Sequence, residues 1–246
     1  MAFVASSPFL GAVLGGGGVR RAAAIGRNRM VTTAALKLYV KAGENGEELG
    51  DCPFSHKAIL MMSAKKLDYE LELINLSSKP DWYLELNKTG TVPTLVDGEE
   101  IVDDSEGILK YVEEKFPEPP LLVEDAAASE AIAPVFGAFA GFVKNKDPEK
   151  EEELKVVFET ALDGLDAHLK ENGPYVSGEA LSTLDFNLAP KLWHAKHALA
   201  HYKEYEFPEK FGSVNKYMDT LFSSDVFKKT LYPPETVVWG WSKFFK

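Results

Sequence analysis

The sequence holds a single cysteine, Cys52, in the string Gly50-Asp51-Cys52-Pro53-Phe54-Ser55. A lone thiol excludes an intrachain disulfide framework and any multi-thiolate metal site within one chain. As a nucleophile or redox centre it must be held as thiolate. The spacing predicts a strand ending near Lys41, a loop, and a helix beginning at Cys52 or Pro53, where proline is tolerated. There the sulfur faces free backbone N–H groups and the positive end of the helix dipole. The N–H of Phe54 or Ser55 is placed to bond it. Asp51 opposes a second anion beside it, and Lys41 or Lys57 would offset that. Free cysteines are commonly buried and inert. Placement before a proline at a strand–loop–helix junction favours the reactive reading.

Two further strings carry binding chemistry. In Gly90-Thr91-Val92-Pro93-Thr94-Leu95, proline opens a strand, the setting of a cis peptide; a trans proline is the plainer alternative. A cis turn would offer the backbone of Val92 to an extended peptide, as strand addition requires. In Asp103-Asp104-Ser105-Glu106, Ser105 stands at a helix start. Its N–H and hydroxyl suit a carboxylate, and simple capping of the helix is compatible with that. His194, His197 and His201 share one helix face at a spacing compatible with metal, but packing is the expected role. Phe136, Phe139 and Phe142 recur every three residues and are expected in the core, with part of that face free to line a substrate mouth.

These residues need elements to position them. Leu36–Lys41 and Tyr69–Asn75 alternate as strands. Pro53–Lys66 and Ser105–Lys115 show helical apolar patterns, Asp81–Leu86 suits a short helix, and Thr94–Asp97 with Glu100–Val102 flank Gly98 as a hairpin. The order βαβαββα predicts a small mixed sheet covered by helices, over residues 36–117. Pro117, Pro119 and Pro120 then break the chain. Residues 118–246 read as helices only: Val123–Lys144, Glu149–Lys170, Leu184–Tyr202 and Glu209–Phe222. The acidic run Glu149–Glu153 suits a solvated helix start. An aromatic tail, Val237–Phe245, is expected to pack back onto these helices. The longest apolar run, Ala131–Val143, falls short of the ~20 residues of a spanning helix and contains Pro134 and two glycines.

At 246 residues, with 45% hydrophobic and 26% charged residues, the chain can bury the core of one large or two modest soluble domains. Its charge is asymmetric. All four arginines, Arg20, Arg21, Arg27 and Arg29, precede the first acid, Glu44. Beyond residue 35, 23 lysines face 38 acids, a net charge of −15. Such a body suits neither nucleic acid nor an anionic membrane, and any anion it binds must be held by lysine, backbone N–H groups or helix ends. Residues 1–35 are acid-free, Arg-containing and rich in Ala, Gly and Ser, the composition of an organelle transit peptide. Removal between about Met30 and Leu36 is expected. The glycine run Gly15–Gly18 lacks the ending of a phosphate loop.

Taken together, Cys52-Pro53-Phe54-Ser55, the Gly-x-Val-Pro of Gly90–Pro93 and Asp104-Ser105 resemble the glutathione transferase superfamily, and within it the plant-type dehydroascorbate reductases. Also similar to that family are Val40-Lys41-Ala42, Leu49–Ser55, Ile74-Asn75-Leu76-Ser77 with Lys79-Pro80, Gly178-Glu179 and Leu188–Leu192. Ser182-Thr183-Leu184-Asp185 resembles the superfamily's helix-capping motif, a structural feature. The resemblance runs from about Leu36 to the C-terminus. It implies a glutathione transferase-like fold: an α/β thioredoxin-like N-terminal domain and an all-α C-terminal domain, with Pro93 in cis. It implies that Cys52 is the redox nucleophile and that Lys41 and Asp51 contact dehydroascorbate. Phe54, Lys79, Val92, Asp104 and Ser105 would bind glutathione, with Val92 on its backbone, Ser105 on the γ-glutamyl carboxylate, Asp104 on the ammonium and Lys79 on the glycyl carboxylate. It further implies a glutathione-dependent, monomeric, plastid-targeted reductase with no permanent cofactor, no metal, and neither nucleic-acid nor membrane partners. The mitochondrion and the cytosol are the alternative locations. An omega-like thiol transferase and a non-enzymatic relative of the intracellular chloride-channel proteins share the Cys-Pro-Phe-Ser-type motif and are the competing readings.

Overall fold

The structure, a computed structural model, describes residues 36–246; the expected address segment, residues 1–35, lies outside the described residues. Strand β1 (Leu36–Lys41) leads through helix α1 (Pro53–Ala64) into the parallel strand β2 (Tyr69–Ile74). Helix α2 (Asp81–Leu86) follows, then the hairpin β3 (Thr94–Asp97) and β4 (Glu100–Val102), then α3 (Ser105–Lys115). The sheet order is β2-β1-β3-β4, with Leu36 opposite Tyr69, Leu38 opposite Leu95 and Val96 opposite Ile101. Alternation sorts β1: Leu36, Leu38 and Val40 join the core beneath α1 and α3, while Tyr39 turns to the other face against Ile74 and Tyr83 of α2.

Helices follow: α4 (Ala126–Lys144), a 3₁₀ turn (Pro148–Lys150), α5 (Glu151–Asn172), α6 (Thr183–Lys203), α7 (Gly212–Ser223), α8 (Asp225–Lys228) and α9 (Pro234–Ser242). Their ends differ from the apolar pattern where a cap decides. α4 starts at Ala126 because the Asp125 carboxylate accepts the Ala128 N–H. α5 starts late because Asp147 caps the 3₁₀ turn first. α1 stops short of Lys66, which adopts a left-handed φ of 54°. The short α8 gave no sequence signal. The expected aromatic tail is in part a helix, α9. α4 is the one helix among the described residues long and apolar enough to cross a membrane. Its Ile132, Val135, Phe139 and Phe142 are buried in the protein core.

One hydrophobic core runs through both halves, from Leu38, Met61 and Ile108 to Phe139, Phe158, Leu192 and Trp241. Two buried polar clusters fix its geometry. At the start of α6, Ser182 and Asp185 form a capping box. The Asp185 carboxylate accepts from the N–H of Ser182 and of Val176 and from the hydroxyls of Ser182 and Tyr217. Burial outweighs these donors and pushes its carboxyl up from the ordinary value.

The second cluster ties the C-terminal residues to α1 and α6. His56 Nε2 meets Thr230 Oγ1 at 2.9 Å, His194 Nε2 meets the Tyr232 hydroxyl at 2.7 Å, and Trp241 Nε1–H donates to His194 Nδ1 at 2.9 Å. An indole N–H only donates, so His194 Nδ1 must be bare and the neutral ring carries its proton on Nε2.

Ser182→Ala removes one cap and should cost about 1 kcal/mol. Asp185→Ala strands several buried donors and should cost about 3 kcal/mol or more, read as shifts in urea midpoint at constant slope. Burial pushes the pKa of both His56 and His194 down to about 3. Between the ordinary value of 6.5 and about 3, the unfolded chain therefore binds protons that the folded chain refuses. Stability should fall as pH drops through that window. His56→Gln should make this decline shallower in pH-resolved denaturation; an unchanged slope would count against the burial account.

Candidate active site

Cys52 is the N-cap of α1, with extended backbone (φ −88°, ψ 112°), and its sulfur accepts the Ser55 N–H at 3.4 Å. Proline at the first helical position has no N–H to satisfy. The loop before it is pressed against the end of β1. Ala42 bridges to Leu49, the Gly50 N–H donates to the Lys41 carbonyl at 2.8 Å, and a Cβ at position 50 would overlap the Ala42 carbonyl. That approach delivers Asp51 to Lys41. The two form a hydrogen-bonded ion pair, with side chains 7% and 16% exposed. Lys57, the other expected counter-charge, instead pairs with Glu106 at the start of α3.

The C-terminal helix roofs this pair. The Trp239 ring faces the Lys41 ammonium, 5.1 Å from nitrogen to ring centroid. Gly240 packs so closely on Asp51 that a Cβ there would overlap the carboxylate. Trp241 is anchored edge-on to Phe139 at 4.9 Å and through His194. A cavity of about 280 Å³ opens at Cys52, between Lys41, Asp51, Phe54 and Leu76 on one side and Phe136, His194, Trp241 and Phe244 from the helices. The aromatic tail thus reaches beyond the helical half and builds part of the site. Of the phenylalanine row, Phe139 and Phe142 are buried, whereas Phe136 meets Phe54 edge-on at 6.3 Å and lines the cavity.

The remaining candidates ring the sheet end. Phe54 is 44% exposed beside Cys52. Val92–Pro93 is a cis peptide. The preceding Thr91 carbonyl accepts from the Tyr83 hydroxyl and from Asn87 Nδ2, while the N–H and C=O of Val92 make no hydrogen bond among the described residues. Gly90, with φ of 61°, sits against Lys79; a Cβ there would meet the Lys79 ammonium at 3.1 Å. Asp104, not Ser105, caps α3, by accepting the Gly107 N–H at 2.7 Å. Ser105 occupies the first helical position, where its own N–H has no intrahelical acceptor. The three histidines part company. His194 has both ring nitrogens engaged, His197 stacks edge-on at 4.1 Å against Trp193, and His201 lies beside Tyr202.

Gly240, Lys144 and Lys243 also line the cavity, and no sequence motif marks them. The clustering of Trp239 and Trp241 near the C-terminus was the one available signal.

Residues 48–120 match the family model described as glutathione S-transferase, N-terminal domain, and residues 148–220 the C-terminal domain of the same family. The chain is 42% identical over 195 residues to the probable glutathione S-transferase DHAR2, chloroplastic, of Oryza sativa subsp. japonica, covering 79% of this chain and 71% of that one. It is 39% identical over 220 residues to glutathione S-transferase DHAR3, chloroplastic, of Arabidopsis thaliana, covering 88% and 84%. The crystal structure of Chlamydomonas reinhardtii dehydroascorbate reductase superposes with a TM-score of 0.78 at 32% identity, over 87% of this chain and all of that one. A cysteine-capped helix, both domain models and relatives matched over most of their length place the chain in one family: it belongs to the glutathione S-transferases, in their DHAR branch.

Proposed function

We propose that this protein reduces dehydroascorbate to ascorbate at the expense of glutathione, through Cys52 alone. The observation that carries this is a lone thiol capping a helix, with a backbone N–H on its sulfur and a lysine–aspartate pair at the same cavity. The names of its relatives support the same substrate. Residues 36–117 form the glutathione-binding half and residues 118–246 the helical half. The Val92 backbone, left unpaired, takes the glutathione backbone; Ser105 and the start of α3 take the γ-glutamyl carboxylate, Asp104 its ammonium, Lys79 the glycyl carboxylate, and Phe54 covers the thiol. Lys41 and Asp51 orient dehydroascorbate.

The cycle balances with one cysteine. The Cys52 thiolate, dehydroascorbate and water give the sulfenic acid and the ascorbate monoanion, two electrons passing from sulfur to substrate. Glutathione condenses with the sulfenic acid, releasing water and leaving a mixed disulfide. A second glutathione thiolate attacks the glutathione sulfur, the bond to Cys52 breaks, and glutathione disulfide departs with Cys52 again a thiolate. The Ser55 N–H stabilises that leaving thiolate. The acid-free, Arg-containing segment before residue 36, together with relatives named chloroplastic, supports action in the plastid.

Cys52→Ser should reduce glutathione-dependent ascorbate formation to the uncatalysed background. Substantial remaining turnover would refute the assignment, and turnover only on glutathione mixed disulfides would favour a general thiol transferase. Gly240→Ala should raise KM for dehydroascorbate and leave KM for glutathione unchanged, because its methyl displaces Asp51. In an Asp51→Ala background the same change should add less than about 0.5 kcal/mol. Full additivity would show that Gly240 acts elsewhere.

A further inference from the structure

The Cys52 cavity carries more positive charge than the reading above uses. Three lysines line it, Lys41, Lys144 and Lys243, against one carboxylate, Asp51. Lys41 is neutralised by Asp51. Lys144 ends α4 and Lys243 follows α9, and both are exposed. Their ammonium groups stand over the same ring, Phe244, at 4.5 Å and 5.2 Å from its centroid. No acidic oxygen among the described residues lies within 4.0 Å of either. Each ammonium is held only by the π-face of a ring, Phe244 for both and Trp241 at 5.6 Å for Lys144, with no carboxylate partner among the described residues. In a body of 23 lysines and 38 acids, such a surplus of positive charge at the cavity favours an anionic ligand.

Dehydroascorbate does not supply it, being uncharged. The first glutathione is accounted for by the sheet half. What remains is the second glutathione, which carries two carboxylates and one ammonium. Its thiolate must reach the glutathione sulfur along the S–S axis, from the side away from Cys52.

We infer that Lys144 and Lys243 form a receiving site for the second glutathione, binding its carboxylates as its thiolate attacks the Cys52 mixed disulfide. This rests on the monothiol cycle proposed above. The S–S bond to Cys52 breaks as the new S–S bond forms, Cys52 leaves as thiolate, and the proton of the incoming thiol goes to solvent. The lysines take no part in bond-making. They raise the local concentration of an anionic thiol, an effect that reaches about tenfold or more and fades with salt.

The test isolates this half-reaction. Wild type and the double variant Lys144→Gln/Lys243→Gln are loaded at Cys52 with oxidised glutathione and the adduct is verified by mass. Reduction is then followed with glutathione and with 2-mercaptoethanol, a neutral thiol. The variant should lose about tenfold in second-order rate with glutathione and stay within about twofold with the neutral thiol. Added salt should slow wild type with glutathione and leave the variant unmoved. Equal glutathione rates in the two proteins, or equal losses with both thiols, would overturn the site while leaving the cycle intact. Failure of Cys52 to form the adduct at all would instead refute the monothiol cycle, and this site with it.

Discussion

The site depends on one ion pair, Lys41 with Asp51. It joins the last residue of β1 to the residue before the thiol, and both side chains are nearly sealed from water. Removing either partner would strand the other's charge, at a cost of about 3–5 kcal/mol. The loop from Lys41 to Cys52 therefore has one low-energy path, with Gly50 laid on the strand end and Cys52 delivered to the start of α1. The pair also settles an electrostatic conflict. An aspartate beside a thiolate would oppose it, but one already neutralised by lysine leaves the helix start and the Ser55 N–H to act on the sulfur.

Sealing that pair requires the far end of the chain. Gly240 covers Asp51, Trp239 covers Lys41, and Trp241 fixes both through its bond to His194. The indole can donate to His194 only if the imidazole stays neutral, and the fully buried site keeps it so. Buried His56 and His194 thus weaken the fold in acid, while His194 holds α9 on the site at neutral pH. The helix that Cys52 caps and the helix that encloses its cavity sit almost two hundred residues apart, yet share one continuous core.

Local signals were legible in the sequence. The hairpin at Gly98, the capping box at Ser182 and Asp185 and the helix start at Cys52 each follow from a few adjacent residues, and the structure shows each element where those residues place it. Long-range choices were not. Lys57 was an equal candidate with Lys41 to balance Asp51, but α1 turns it toward Glu106, and nothing within one helix encodes that partner. Ser105 and Asp104 both suit an N-cap, and a one-residue shift in the helix start decided between them. Gly240 lies in a run of valine and tryptophan that shows its apolar character but not which charged group it will cover.

The acidic body gives these choices a common logic. With no arginine beyond residue 29, every fixed cation near the thiol is a lysine, a single flexible charge that matches no planar fork. A flexible ammonium is a poor choice for holding one rigid pose, and where rigidity matters the fold confines it: Lys41 is clamped by Asp51 and Trp239. Where a ligand must arrive, react and leave within each turnover, flexibility costs little. Lys144 and Lys243 are left exposed over one aromatic ring, with stems free to follow a moving carboxylate. On the proposed cycle, the division between clamped and free lysines matches that between a substrate that must be oriented and a thiol that need only be gathered.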